Sequence, residues 1–301
     1  MILVTGSTGY IGSRLVQHLL SEGIPVRGLV LPNDIGLSAS LASIGMEIWL
    51  GDLLKPDSLH GITKGVGIVY HLAGIHAEPL SIVRQLYVDG THHLINELKR
   101  ESSIRCCVVA SNSAVYGDGG ERWLFESGPT EPSTHPFGQI TAEMEELVCS
   151  EFKNCGLPAI ILRIADVYGP HPCNPIKRLQ ERRIRLVGEG SSWTSHIHIA
   201  DLLNILCIAD NLHLGEIYNV SDDLPVRAQQ FYSFAAEIGR APVPTWIARE
   251  GVSSRVWHGV HGLRSLSARI TNVKLRSQLG YQLQYPTYKD GLWSLTDHFI
   301  S

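Results

Sequence analysis

Three glycines stand at the spacing G-x-x-G-x-x-G in the run Thr5-Gly6-Ser7-Thr8-Gly9-Tyr10-Ile11-Gly12. The chemistry such a loop offers is anion binding, because its backbone N–H groups and the first turn of the helix after it point at one place. Gly6 suits a tight turn, Gly9 lets the backbone approach a pyrophosphate, and Gly12 lets the helix pack close to the strand before it. The pattern gains weight from its flanks. The apolar run Ile2–Val4 leads into it, and Leu15, Val16, Leu19 and Leu20 follow at helical spacing, with Gly23 as a stop. Strand, glycine turn and helix together predict a dinucleotide phosphate site. A purely structural turn does not account for all three glycines. An acidic candidate follows in Gly51-Asp52-Leu53; Asp52 reads either as a cofactor contact or as a helix cap ahead of Pro56-Asp57.

Other reactive residue types form no site by spacing alone. The 14 histidines contain no H-E-x-x-H, and the six cysteines (106, 107, 149, 155, 173 and 207) contain no C-x-x-C, so no metal is expected and the thiols read as reduced. A net charge of −4 gives no electrostatic case for nucleic acid or an anionic membrane. No run of about 18 uncharged apolar residues predicts a membrane span. Met1 runs straight into the first strand, which leaves no room for a targeting segment and gives the expectation of a cytoplasmic protein acting on a small molecule.

The elements that must position these residues alternate. Ile2–Val4 is followed by a helix near Ser13–Glu22 and a strand at Pro25–Leu31. Glu47–Leu50 leads to Asp52, and Gly67–His71 leads to Leu72-Ala73-Gly74. A helix over Tyr87–Arg100 precedes the strand Arg105–Ala110, and a helix over Thr141–Lys153 precedes Ala159–Ile164. Such alternation predicts an α/β fold with a Rossmann-type doubly wound parallel sheet. Ligands bind beyond the carboxyl ends of such strands, which here carry Gly6, Asp52, Ala73, Ser111 and Ala165. Residues 1–165 read as this dinucleotide-binding domain. Residues 166–301, where the pattern loosens after the proline-rich stretch Tyr168–Pro175, read as a smaller C-terminal substrate lobe with some chain returning to the sheet. Within it lie a strand at Ile217–Val220, a helix near Gln229–Ile238, a proline-broken segment at 242–244 and a last helix over Tyr288–Phe299.

Taken together the motifs resemble the extended short-chain dehydrogenase/reductase family, the NAD-dependent epimerase/dehydratase group. The likeness rests on Thr5-Gly6-x-x-Gly9-x-x-Gly12, Gly51-Asp52-Leu53, His71-Leu72-Ala73-Gly74, Gly90-Thr91 and Val115-Tyr116-Gly117. It continues through Leu162-Arg163 to Val167-Tyr168-Gly169-Pro170, then Ile197-His198-Ile199-Ala200-Asp201, Tyr218-Asn219-Val220, Leu279-Gly280 and Gly291-Leu292. The resemblance implies that Gly6, Gly9, Tyr10, Ile11 and Gly12 hold the pyrophosphate of NAD or NADP. Asp52 and Leu53 meet the adenine, Leu72, Ala73 and Gly74 lie along the nicotinamide ribose, and residues 164–167, beginning with Ile164, flank the nicotinamide. The residues after the second strand, Leu29-Val30-Leu31-Pro32-Asn33-Asp34, leave NAD and NADP open, since Leu31 stands where many relatives carry arginine and Arg27 and Asp34 are displaced. Relatives often form homodimers through two helices, which here are those over Tyr87–Arg100 and Thr141–Lys153.

The sequence departs from this family where the chemistry sits. The resemblance implies a Tyr-x-x-x-Lys pair and a serine or threonine. Here Pro136-Phe137-Gly138-Gln139-Ile140-Thr141 puts Phe137 and Thr141 at the pair, and Asn112 stands four before Tyr116, with Ser111 and Ser113 beside it as partial substitutes. A positioned acid or base contributes about 10²–10⁴-fold, and phenylalanine supplies none of that. Replacements near the crevice are His135 and Tyr168 first, with His76, His171, Tyr116 and Asp166 behind them. Each also reads as a packed or hydrogen-bonded structural residue. After Gly188-Glu189-Gly190, where many relatives carry an arginine for the nucleotide phosphate, the chain reads Ser191-Ser192-Trp193. Trp193 reads as a cover for a substrate or as packing. The basic residues 177–185 read as an anion site or as a solvated face. Three readings stay open: a nicotinamide-dependent oxidoreductase or epimerase-like enzyme of non-standard mechanism, a non-redox cyclase, lyase or isomerase, and a non-catalytic dinucleotide sensor.

Overall fold

The computed structural model describes residues 1–75, 79–128, 135–248 and 266–296. The chain forms two compact units. The first holds Met1–Ser111, Ile140–Leu162 and Leu203–Ile217; the second holds Asn112–Gln139, Arg163–Leu202 and Tyr218–Ser301.

The sheet of the first unit begins with β1 (Ile2–Thr5), β2 (Val26–Val30), β3 (Glu47–Leu50), β4 (Ile68–His71) and β5 (Cys106–Asn112). Two later strands extend it, β7 (Ala159–Ile164) and β12 (Ile217–Val220), both of which run on into the second unit. The seven strands lie in the order β12-β7-β5-β4-β1-β2-β3. The pairings of β1 with β2 and β4, β2 with β3, and β4 with β5 are parallel. Strands covered on both faces need apolar side chains pointing both ways, which is why Ile2-Leu3-Val4, Ile68-Val69-Tyr70 and Cys106–Val109 are unbroken apolar runs and buried throughout. The edge strand β3 is the exception, with both of its end residues exposed.

Helix α1 (Tyr10–Ser21) buries Leu15, Val16 and Leu19, each contributing about 1.5–3 kcal/mol. It ends where Gly23, at φ +74°, donates its N–H to Leu20 and lets Ile24 N–H reach Leu19. Helix α2 (Ile35–Ser43) follows β2. The helix expected over 87–100 starts earlier, as α3 (Leu80–Arg84), passes through a π-helical turn at Gln85–Gly90 and finishes as α4 (Thr91–Leu98). Pro79 sets the early start, since proline cannot continue a helix backwards. Helix α5 (Pro136–Cys155) also starts five residues before the expected Thr141. Pro136 occupies the first helical position, where its missing N–H is not needed. Phe137 therefore lies in the first helical turn rather than in a loop.

The second unit is built from short ribbons. The strand β6 (Trp123–Leu124) pairs with β15 (Arg269–Ile270), and β8 (Asp166–Tyr168) with β11 (His196–His198). The strand β9 (Arg185–Val187) pairs with β14 (Thr245–Ile247), and β10 (Trp193–Thr194) with β13 (Val226–Arg227). Its core gathers Ile176, Leu179, Leu186, Phe231, Ala235 and Leu292 around Tyr168.

Candidate functional site: a glycine cradle and the packed start of a long helix

The strand order reverses direction between β1 and β4. In an open α/β sheet, ligands settle beyond the strand ends at that reversal. The residues there in the first unit are Gly6 after β1 and Leu72-Ala73-Gly74 after β4. Gly6 has φ +68°, and a Cβ on it would lie 2.8 Å from the Leu72 carbonyl oxygen. A Cβ on Gly12 would lie 2.1 Å from the Gly6 carbonyl oxygen. Both positions exclude any side chain, so the cradle is made of bare backbone. Gly9 is exposed at the N-cap of α1 with no side-chain cap, and its N–H donates to Gly6 at 3.0 Å. The N–H groups of the first helical turn that no side chain satisfies are the anion donors the cradle presents. These residues fit a dinucleotide pyrophosphate. Tyr10 and Ile11 are half-buried, and the Arg14 guanidinium covers the Tyr10 ring at 4.0 Å.

Sequence reasoning passed over His71, which holds the two sides of the cradle together. Thr91 donates its hydroxyl to the Tyr87 carbonyl, so its oxygen accepts from His71 Nε2 at 2.9 Å. His71 Nδ1 then accepts from the Thr5 hydroxyl at 2.8 Å, and Thr5 Oγ1 accepts the Ala73 N–H at 3.2 Å. One chain of hydrogen bonds thus joins α4, β4, β1 and the 72–74 strip. Burial lowers the His71 pKa to about 4, so the imidazole is neutral and its tautomer is fixed. Tyr87 packs against the same strip; a Cβ on Gly74 would lie 2.6 Å from its hydroxyl. Its Cβ-free neighbour was the motif's signal, but the histidine two residues before Ala73 carries the geometry.

Asp52 accepts the Leu54 N–H at 2.9 Å, forming an Asx turn, while its backbone is pinned by Ser58. It does not cap the turn at Pro56–Leu59, whose N-cap position is Lys55. Leu53 is buried, and its carbonyl accepts from His93 at 2.7 Å. Arg27 is taken out of cofactor selection: its guanidinium binds Glu47 at 2.8 Å and the Ile62 carbonyl at 2.6 Å. The residue at the end of β2 is the exposed Leu31, which offers neither an acid for ribose hydroxyls nor a cation for a 2′-phosphate.

The positions of the expected catalytic trio are packed. Thr141 is 0% exposed in the first unit, where Ser111, also buried, donates its hydroxyl to the buried Glu145. Ser111 is therefore committed to a carboxylate 34 residues away, a pairing that no local pattern signals. In the second unit Asn112 accepts the Ala114 N–H at 2.9 Å and caps the 3₁₀ turn Ser113–Tyr116. Phe137 is 2% exposed, and its N–H donates to His135 Nδ1 at 3.3 Å. His135, wholly buried, thus caps α5. Tyr116 donates its hydroxyl to Asn219 at 2.8 Å and stacks under Arg163 at 4.7 Å. Tyr168 sits in the aromatic core, edge-on to His198 and Phe231, with its hydroxyl against Gly291. Burial raises its pKa well above the usual phenol value. Ile164 is buried at the end of β7. His76 lies outside the described residues. Among the described residues, no cluster of His, Cys, Asp and Glu could hold a metal ion, and no helix is long and apolar enough to cross a membrane.

The family model described as the NAD dependent epimerase/dehydratase family matches residues 2–221, from β1 through β12. The chain belongs to that family. Members it resembles in sequence include the uncharacterized UDP-glucose epimerase YtcB of Bacillus subtilis, 28% identical over 242 residues that cover 73% of this chain and 76% of YtcB. Another is the 4-hydroxy-2-methyl-3-oxo-4-farnesyl-3,4-dihydroquinoline-1-oxide ketoreductase of Stigmatella aurantiaca, 25% identical over 97% of this chain and 94% of the relative. In fold, it matches the NAD complex of dTDP-glucose 4,6-dehydratase from Bacillus anthracis with a TM-score of 0.82. That match covers 99% of this chain and 96% of the other at 19% identity. A Rossmann-like parallel sheet and a nicotinamide dinucleotide, NAD or NADP, are thus properties of the family to which the cradle belongs.

Proposed function

We propose that this protein is an NAD(P)-dependent oxidoreductase or epimerase-like enzyme that acts on a small organic substrate without a tyrosine–lysine pair. The observation that carries the reading is the contrast between two sites. The glycine cradle excludes every side chain at Gly6 and Gly12, while Phe137 and Thr141 are packed where a phenol and an ammonium would stand by the family resemblance. Bound nicotinamide supplies a hydride acceptor or donor. The chain's own residues hold the pyrophosphate at the N-terminus of α1 and fix the 72–74 strip through His71. Phe137 moves no proton, so the proton that accompanies hydride transfer passes through another group or through water. The relatives' names span nucleotide-sugar epimerases and a ketoreductase. Both classes interconvert an alcohol and a carbonyl, which is the step this reading assigns here.

The test is a titration of the purified protein with oxidised and reduced NAD and NADP, followed by calorimetry for all four and by nicotinamide fluorescence for the reduced pair. Turnover is then measured on a panel of nucleotide sugars and ketones. Saturable binding of one cofactor pair, with turnover strictly dependent on its oxidation state, is expected. Binding of none of the four overturns the reading, and so does turnover that survives removal of the dinucleotide.

A further inference from the structure

Between α3 and α4 the helix changes pitch. Residues Gln85–Gly90 form the π-helical turn, and Tyr87 lies within it. Such turns give up hydrogen-bond geometry and recur at functional sites. This one is pinned from α4: the Thr91 N–H donates to the Val88 carbonyl, and the Thr91 hydroxyl donates to the Tyr87 carbonyl. The same Thr91 oxygen accepts from His71, whose other ring nitrogen leads through Thr5 to the Ala73 N–H. The backbone of Tyr87 is therefore tied to the strip 72–74 that follows β4.

The side chain of Tyr87 meets the strip a second time. Tyr87 is buried, whereas Gly74 at the end of the strip is exposed. A methyl on Gly74 would lie 2.6 Å from the Tyr87 hydroxyl, 3.2 Å from Cζ and 3.7 Å from Cε2, and these are the nearest atoms it would meet. The hydroxyl therefore sits against bare backbone at a position where any side chain would push it away. Packing of the ring asks for no oxygen, since a phenyl group fills the same space. The oxygen stands where the apolar body ends and the exposed backbone begins, the amphipathic arrangement that suits tyrosine to a binding surface. Burial pushes the phenol above its usual pKa, so it stays a neutral hydroxyl that can both donate and accept.

We propose that Tyr87 is a cofactor-binding residue whose hydroxyl hydrogen-bonds the ribose that a dinucleotide lays along 72–74, and that the π-helical turn holds the hydroxyl in that place. The inference rests on the reading of the chain as an NAD(P)-dependent enzyme. The two hydroxyls of a ribose donate and accept, which a neutral phenol matches. The assignment adds a side chain to a cradle otherwise made of backbone. It also divides the dinucleotide: ADP, which ends at the pyrophosphate, gains nothing from Tyr87, while ADP-ribose and the whole cofactor do.

Calorimetric titration of the full chain with ADP, with ADP-ribose and with NAD and NADP tests this; the 2′-phosphorylated forms of the first two serve if the chain selects NADP. Tyr87→Phe, which keeps the ring, weakens ADP-ribose and the cofactor by roughly 3- to 10-fold, the range for one net hydrogen bond, and leaves ADP unchanged. Gly74→Ala gives the same split by displacing the hydroxyl, and it serves alone if Tyr87→Phe folds poorly, since position 74 is exposed. Combined with Tyr87→Phe it adds little, because both changes remove one contact. Undiminished ADP-ribose binding in Tyr87→Phe, or in Gly74→Ala where that variant serves alone, overturns the proposal. So does an equal loss for ADP, which marks a structural role. The unaltered protein separates the cases: if it binds neither NAD nor NADP, the reading of the chain itself fails, and if it binds one that Tyr87→Phe binds as well, only the role of Tyr87 is wrong.

Discussion

Gly12→Ala probes the cradle most sharply. The new methyl would stand 2.1 Å from the Gly6 carbonyl oxygen and 2.8 Å from its carbon, whereas ordinary contact starts at 3.4 Å. Both neighbours are backbone and cannot rotate away, so α1 and the loop must separate by about 1.3 Å. Overpacking of that kind costs about 1–3 kcal/mol of stability. The shift also draws the first-turn N–H groups off the pyrophosphate. Each hydrogen bond to a charged group is worth about 1.5–3 kcal/mol, so the loss of one or two weakens dinucleotide binding by roughly 10²-fold or more. Gly6→Ala is milder in contact, at 2.8 Å, but adds about 1–2 kcal/mol for a left-handed residue. Gly9→Ala meets only the Gly6 oxygen at 3.2 Å, from an extended backbone at φ −76°, and is nearly neutral for stability. Thermal denaturation with and without NADH, alongside fluorescence titration, gives both quantities. The expected order of damage to stability is Gly12, Gly6, Gly9. Unaltered affinity in Gly12→Ala, or Gly9→Ala as the least stable of the three, refutes the reasoning.

Acid weakens the protein through His71. Its folded pKa is about 4 against 6.5 when unperturbed, so its contribution is whole above pH 6.5 and is lost as pH falls toward 4. The loss amounts to about 3 kcal/mol. Urea midpoints across that window follow it, and a flat profile contradicts a buried neutral imidazole. The thiols divide by reactivity. Exposed Cys155 reacts readily with a disulfide reagent in the native state, while Cys106, pushed up to about 12 by burial, and the fully buried Cys107 react only on unfolding. Mass spectrometry of quenched samples reads the order. Tyr116→Phe strips the Asn219 side-chain oxygen of its donor and lowers stability by about 1–2 kcal/mol in chemical denaturation.

Local patterns were legible in the sequence, while long-range partners were not. The spacing of Gly6, Gly9 and Gly12 between an apolar strand and an amphipathic helix was sufficient for the cradle, because each requirement acts within a dozen residues. The same holds for the alternation that predicts the parallel sheet. The His71 chain was hidden because its partners, Thr5 and Thr91, lie 66 and 20 residues away. The place of Tyr87 against Gly74 was hidden for a stronger reason: it depends on a π-helical turn, which the helical periodicity does not show. His135 and Asn112 were nominated as chemistry and also act as helix and turn caps. A cap and a catalytic polar residue look alike in sequence, since both are polar side chains beside an element end.

The strand order β12-β7-β5-β4-β1-β2-β3 has a consequence for how the chain is made. Counting outward from β1, strands on each side appear in the order in which a ribosome delivers them: β2 then β3 on one side, and β4, β5, β7 and β12 on the other. No later strand has to be inserted between two already paired, so each can dock on an existing edge as it emerges. The cost is delay. The β4 edge of β1 stays open until residue 68 is made, and the outermost strand arrives only at residue 217. Pairings that distant in sequence fold slowly, and the apolar edge of β1 must wait for them unprotected.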